Sequence, residues 1–227
     1  MTPQDIVAPQ PVESEVIIET RGLSRIYPGV TALDNVNYRV YRNKVNVLIG
    51  ENGAGKSTMM KMLAGVETPS SGQIILDGEA VTLNSTHQAE KFGISIIFQE
   101  LNLFPNMNVM DNIFMANEFF QKGRINEKYQ YALAKSLLER LELDVDPYTQ
   151  LGELGIGHQQ LVEIARALSK DTRVLIMDEP TSALSQSEVK VLFKVIEQLK
   201  RRGVTIIYIS HRLEELMEIG DNITIFR

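Results

Sequence analysis

One stretch limits what this chain can fold into more than any other: Gly50-Glu51-Asn52-Gly53-Ala54-Gly55-Lys56-Ser57-Thr58. It reads G-x-x-x-x-G-K-S, follows the apolar run Val45-Asn46-Val47-Leu48-Ile49 and leads into the helical pattern Met59-Met60-Lys61-Met62-Leu63-Ala64. A strand, a glycine loop and a helix N-terminus in that order form a phosphate cradle. Glycines let the backbone curl until successive N–H groups face an oxyanion, because no Cβ blocks the curl. Lys56 is suited to reach β- and γ-phosphates, and the Ser57 hydroxyl to ligate Mg²⁺. The motif alone marks a nucleotide binder of a kind that includes kinases, GTPases and motors, so the rest of the chain has to choose among them.

Composition removes several alternatives. At 227 residues and 44% hydrophobic, the chain is long enough for one large domain or for a core carrying a subdomain. A net charge of -6 argues against non-specific nucleic-acid binding, which needs a basic surface. The absence of cysteine excludes disulfides, thiolate catalysis and Cys-ligated zinc, and three scattered histidines make a poor metal cluster. No apolar run approaches the ~18 residues of a membrane span. Asp5, Glu13 and Glu15 fall where a signal peptide would be basic and then apolar. These features predict a soluble chain on the cytosolic side.

Hydrophobic periodicity divides the chain into two textures. Residues 1–14, with Pro3, Pro9 and Pro11, read as a flexible lead-in. Strands are expected at 15–20, 36–41, 45–49, 73–76 and 94–98, the second of them alternating as a half-buried antiparallel strand does. Asp77-Gly78 signals a hairpin, and Ser85 or Thr86 a helix start. From Asn108 to Ala167 the pattern is helical with almost no strand signal: 109–119 capped by Asn108, 127–143, and 158–168. Strand chemistry returns at 174–178, 204–209 and 223–226, separated by helices at 187–202 and 212–219. Apolar strands alternating with helices imply a parallel sheet covered on both faces. The expected fold class is therefore α/β. It has a P-loop NTPase core with a mainly parallel sheet, an antiparallel β subdomain near the N-terminus and an inserted α-helical subdomain. The core takes 15–99 and 172–227, and the helical subdomain about 100–171.

Polar residues end several of these apolar strands, where open α/β sheets bind ligands. Asp178 closes Val174-Leu175-Ile176-Met177 and suits a place near Mg²⁺; Glu179, next to it, suits a general base for an attacking water. Gln99 follows Ile94–Phe98, where its amide can contact Mg²⁺ and orient water. His211 follows Ile206-Ile207-Tyr208-Ile209-Ser210. One such histidine is ordinarily structural. Several polar strand ends beside a phosphate loop point to chemistry instead.

In this ordered set the chain resembles the nucleotide-binding domain of ABC transporters. The P-loop is at 50–58, the glutamine loop at Gln99 and the Walker B strand at 174–179. Pro180-Thr181-Ser182-Ala183-Leu184 leads to the D-loop, and His211 stands at the switch histidine. The resemblance implies that ATP and Mg²⁺ bind, with catalytic roles for Glu179, His211, Gln99 and Lys56. Mg²⁺ would lie near Ser57, Gln99 and Asp178, and Tyr27, in Tyr27-Pro28-Gly29, would stack on adenine. The family signature Leu-Ser-Gly-Gly-Gln corresponds here to Leu154-Gly155-Ile156-Gly157-His158, so Gly155 replaces the serine that reaches across a dimer to the γ-phosphate on the other subunit. The lost hydroxyl contact is worth roughly 1.5–3 kcal/mol. The Gly157 N–H is expected still to face that anion. Ser185 stands where the family usually has Asp.

These departures, with Gln99-Glu100-Leu101-Asn102-Leu103 and Ile209-Ser210-His211-Arg212-Leu213-Glu214-Glu215, look most like the first half of bacterial monosaccharide import ATPases of the ribose, xylose and galactose type. Those subunits join two such domains in one polypeptide. The resemblance implies an ATPase that powers sugar import, peripheral on the cytoplasmic face of the inner membrane. Its partners would be a second ABC domain, a membrane permease and, indirectly, an extracytoplasmic sugar-binding protein. The C-terminus is expected to be truncated within the core's last strands. Leu103, Phe104, Met107 and Met110 either line the groove that meets the permease or pack the helical subdomain. Two other readings fit the same nucleotide motifs: a soluble ABC ATPase outside transport, and an ATP-binding half with little turnover of its own.

Overall fold

The computed structural model describes residues 15–227, and the expected lead-in at 1–14 lies outside the described residues. In chain order the elements are β1 (Val16–Tyr27), β2 (Val30–Tyr41), β3 (Val45–Gly50), α1 (Lys56–Leu63), β4 (Ser71–Leu76), β5 (Glu79–Val81), α2 (Thr86–Lys91) and β6 (Ile94–Ile97). Then follow α3 (Val109–Phe114), β7 (Phe120–Gln121), β8 (Arg124–Ile125), α4 (Glu127–Arg140), α5 (Ile156–Leu168), β9 (Val174–Asp178), α6 (Gln186–Arg201), β10 (Thr205–Ile209), α7 (Leu213–Ile219) and β11 (Asn222–Phe226).

The parallel sheet runs β11-β3-β10-β9-β6. Its strands are almost continuously apolar because both faces are covered. Along β9 the two-residue period sends Leu175 and Met177 into a core with Ile113, Leu137, Ile164 and Ile196, and Val174 and Ile176 into another with Met59, Met62 and Leu63. Helix α1 lies between this sheet and an antiparallel sheet of order β2-β1-β4-β5, whose Ile18, Leu23, Leu33 and Val40 share the second core. In the parallel sheet Ile209 stands in register with Leu48 on one side and Asp178 on the other. The glycine loop that follows β3, Asp178-Glu179 and His211 therefore leave the sheet at one level.

Some boundaries differ from those expected. Strand β1 continues to Tyr27 through register shifts between Thr20 and Leu23 and beyond, so bulges carry it past Arg21 and Gly22 into a tight turn at Pro28-Gly29. Helix α3 is capped by Asn108, whose Oδ1 accepts from the Asp111 N–H at 2.7 Å, but it stops at Phe114 rather than 119. Ala116 then takes a left-handed φ of 60°, and a short hairpin, β7–β8, turns on Lys122-Gly123 with φ of 53° and 78°. Two-residue strands offer too little periodicity to be read from sequence. Helix α6 starts at Gln186 because Ser185 and Glu188 form a capping box.

Candidate functional site

The phosphate loop is shaped by contacts as well as by glycine. Gly55 has a φ of 89°, and a Cβ there would lie 2.6 Å from the Ala32 carbonyl oxygen and 2.6 Å from Leu33 Cδ2. Only glycine lets the loop press on β2 while it enters α1. Lys56 is largely buried, and its Nζ donates to the carbonyls of Gly50 at 2.8 Å and Glu51 at 3.0 Å. The ammonium thus folds back across the loop, with Gly53 at a φ of 85° on its turn. The first N–H groups of α1 have no partner within the helix.

Asp178 ends β9 near Ser57 and Lys56 at the start of α1. Burial pushes the Asp178 carboxyl above its ordinary range, opposed by the nearby Ser57 hydroxyl and the charges of Lys56 and Lys61, while the Glu179 charge adds to the rise. Such a half-desolvated carboxylate gains from a cation close by. Oxygen donors alone, a hydroxyl and a carboxylate, suit a hard divalent ion.

Glu179 is held in a left-handed conformation, φ 48°, uncommon for any residue but glycine. Its N–H donates to Ile209 O at 3.0 Å, and its own carbonyl accepts from the Ser182 N–H at 3.2 Å. The side chain reaches the loop after β10: Glu179 Oε1 lies 3.3 Å from His211 Nδ1, the histidine being 62% exposed and the glutamate 20%. Gln99 lies two residues past β6, neighbour of β9 in the sheet, and is exposed.

Other residues singled out from sequence stand apart from this group. Tyr27 sits at the end of β1, its hydroxyl bonded to Glu67, with the Arg25 guanidinium carbon 4.8 Å above its ring centre. One ring face is therefore already occupied by a cation. Gly155 is the N-cap of α5 without a side-chain cap, and open space lies where its Cβ would be. The Gly157 N–H does not face outward as expected; it donates to Glu188 Oε1 at 3.1 Å. A Cβ on Gly157 would stand 2.3 Å from that oxygen, so the glycine makes the contact possible. Glu188 therefore supplies, from α6, an acceptor for the N-terminus of α5. Its pKa is held low chiefly by its bonds to Ser185. The Ser185-x-x-Glu188 pattern was the available signal for the cap, but nothing in the sequence marks the reach to Gly157. Of the groove candidates, Met110 is buried and Phe104 is 50% exposed.

Beneath the glutamine loop, a cavity of about 250 Å³ is lined by Ala64, Ile94, Phe98, Asn102, Glu163 and Arg166. Both polar groups of the Asn102 backbone are taken by α5: its N–H donates to Glu163 Oε1 at 3.4 Å, and its carbonyl accepts from Arg166 at 2.8 Å.

A sequence model described as ABC transporter matches residues 33–182, spanning the phosphate loop, the altered signature and the Walker B carboxylates. The chain belongs to the ABC transporter family. Among similar proteins of this ABC family, the xylose import ATP-binding protein XylG of Thermoanaerobacter pseudethanolicus is 50% identical over 216 residues, which cover 94% of this chain and 43% of the relative. The L-arabinose transport ATP-binding protein AraG of Geobacillus stearothermophilus is 46% identical, over 94% of this chain and 42% of its own length. This ABC chain thus spans less than half the length of those relatives. The solved ATP-binding cassette MJ1267 matches with a TM-score of 0.84 at 26% identity, over 93% of this chain and 88% of that one. No helix among the described residues is long and apolar enough to cross a membrane.

Proposed function

We propose that this ABC domain binds and hydrolyses MgATP and, within a longer subunit, powers monosaccharide import through a membrane permease at the cytoplasmic face. The observation that carries the reading is the 3.3 Å approach of His211 to Glu179, one residue beyond Asp178 at the end of β9. A nucleotide-holding module without turnover needs the phosphate loop but has no use for that pair. The named relatives supply the sugar-import part.

In this reading, triphosphate binding draws the Lys56 ammonium away from the Gly50 and Glu51 carbonyls and onto the β- and γ-phosphates. Ser57 and Asp178 would hold Mg²⁺ with Gln99 nearby, and the ion when bound would offset phosphate charge. Glu179 accepts a proton from the attacking water, and His211 orients that carboxylate and the γ-phosphate side of the site. Glu51, Asn52, Gly53, Ala54 and Thr58 complete the cradle, and Tyr27 offers its uncovered face to the base. A second ABC domain brings its signature segment to this site, while Gly155 here serves the partner's. We divide the chain functionally into a core, 15–99 and 172–227, and a helical subdomain, about 100–171.

Reconstitution of the full-length subunit with its permease in proteoliposomes tests the reading. ATP-dependent uptake of a monosaccharide is expected. Hydrolysis without uptake of any monosaccharide would overturn the import assignment, and nucleotide binding without hydrolysis would overturn the ATPase assignment.

The altered signature yields its own prediction. Gly155 has φ −62° and ψ 156°, a backbone that serine adopts at an N-cap, with open space for the side chain. Gly155→Ser should raise stability by only a few tenths of a kcal/mol, since glycine is itself a fair N-cap. Glu188 already serves one of the N–H groups. The new hydroxyl should also tighten ATP at the partner's site roughly tenfold or more, as one added bond to a charged group. A thermal melt and an ATP titration of the paired domains check both, and a lowered Tm would show that α5 has no room for the hydroxyl.

A further inference from the structure

Glu215 lies on α7, in neither the phosphate loop nor the Walker B strand, yet it is the most heavily bonded buried carboxylate near them. It is 5% exposed. Oε1 accepts from the Thr181 hydroxyl at 2.8 Å, and Oε2 accepts from the Ser210 hydroxyl at 2.7 Å and the Tyr208 hydroxyl at 2.9 Å. Arg212 Nη1 approaches Oε1 at 3.4 Å. Burial, and then the Glu215 charge, push the Tyr208 phenol above its ordinary range, so it remains a donor. Burying a carboxylate is costly unless its oxygens are satisfied, and here both are.

Besides Tyr208 on β10, the partners belong to two different loops. Thr181 comes two residues after Glu179, and Ser210 one residue before His211. Ser210 Oγ also accepts from the Arg212 N–H at 3.1 Å, which fixes the chain on the far side of His211. One carboxylate therefore ties the loop carrying Glu179 to the loop carrying His211. Glu179 needs such a tether, because its left-handed φ of 48° persists only where the surroundings over-determine it.

We infer that Glu215 is a positioning residue that holds Glu179 and His211 in register for catalysis. The inference rests on the roles proposed above for those two residues. Glu215 touches neither, and it acts through Thr181 and Ser210. A glutamine at 215 keeps the shape but offers one acceptor oxygen where the carboxylate offers two, so one loop is released.

The test measures ATP turnover, affinity for a fluorescent ATP analogue, and amide hydrogen exchange in the full-length subunit with the parental sequence, with Glu215→Gln and with Thr181→Val. The valine variant removes a single bond, and it keeps the question open to refutation if Glu215→Gln fails to fold. Turnover should fall roughly ten- to a hundredfold in Glu215→Gln, and about tenfold in Thr181→Val, the scale of one lost bond to a charged group. Analogue affinity should stay near the parent's, since Lys56 and its loop are untouched. Exchange should quicken at the Glu179 and Arg212 amides while residues 50–58 stay protected. Parental turnover in the folded variants, or affinity and turnover falling together, would overturn the assignment. A full-length parental subunit that binds ATP without hydrolysing it would defeat the ATPase reading instead. The exchange data then decide for Glu215: faster exchange confined to the two loops supports it, and unchanged exchange removes it.

Discussion

Glu179→Gln is expected to stop ATP turnover and leave nucleotide binding intact. Glutamine matches the carboxylate in size and can still meet His211, which lies 3.3 Å from Oε1, but it has no basic oxygen to take a proton from water. Loss of a positioned general base costs roughly 10²–10⁴ in rate. Binding should hold or tighten. Lys56 and Ser57 are unchanged, and the substitution removes the charge that raises the neighbouring Asp178, which lets that carboxylate ionise more readily. Steady-state hydrolysis and titration with a fluorescent ATP analogue, run in parallel, separate the two effects. Hydrolysis at the parental rate would move the base elsewhere. Loss of binding together with turnover would mean that the left-handed backbone at 179, not the carboxylate's chemistry, is what the glutamate supports.

The parts of this molecule legible in sequence were those with local causes. The parallel strands announced themselves as apolar runs, and the loop 50–58 by glycines that the backbone geometry requires. The placement of Asp178 and His211 at strand ends followed from the strands. The antiparallel sheet was only half visible: residues 36–41 alternate, but β1 crosses Arg21 and Gly22 on bulges, and pairing with both β2 and β4 sustains it there. What the sequence hid were contacts between distant segments. Glu188 meets Gly157 31 residues away, and Glu215 meets Thr181 34 residues away. Each of these glutamates lies on an otherwise ordinary helix face, and no periodicity distinguishes a solvated carboxylate from one that holds two loops. Glu163 was hidden in the same way, a carboxylate set among Leu161, Val162, Ile164 and Ala165 on a helix that sequence reading treats as simply amphipathic.

Glu163 also gives the chain a pH dependence that one substitution should remove. Burial pushes its carboxyl up to about 7, against the opposing pull of the Asn102 N–H and the Arg166 charge. Its second oxygen, Oε2, is buried without a hydrogen-bond partner. In an unfolded chain a glutamate titrates near ~4.3. The folded state therefore holds this proton more tightly than the unfolded one. The contribution to stability is complete below the unfolded value and is lost as pH rises through about 7. Glutamine resembles the protonated acid: it keeps an acceptor for Asn102 and never has to carry a buried charge. Glu163→Gln should therefore leave stability nearly unchanged at about pH 4 and raise it at about pH 8 by up to roughly 3 kcal/mol. Urea unfolding of parent and variant at the two pH values checks this. The decisive quantity is the difference between the two stability changes, because a packing defect introduced by the amide would shift both alike. Equal shifts at both pH values would mean that Glu163 reaches solvent or a cation when ionised. The carboxylate would then hold the glutamine loop through Asn102 across the whole range instead of weakening its grip on the fold above neutrality.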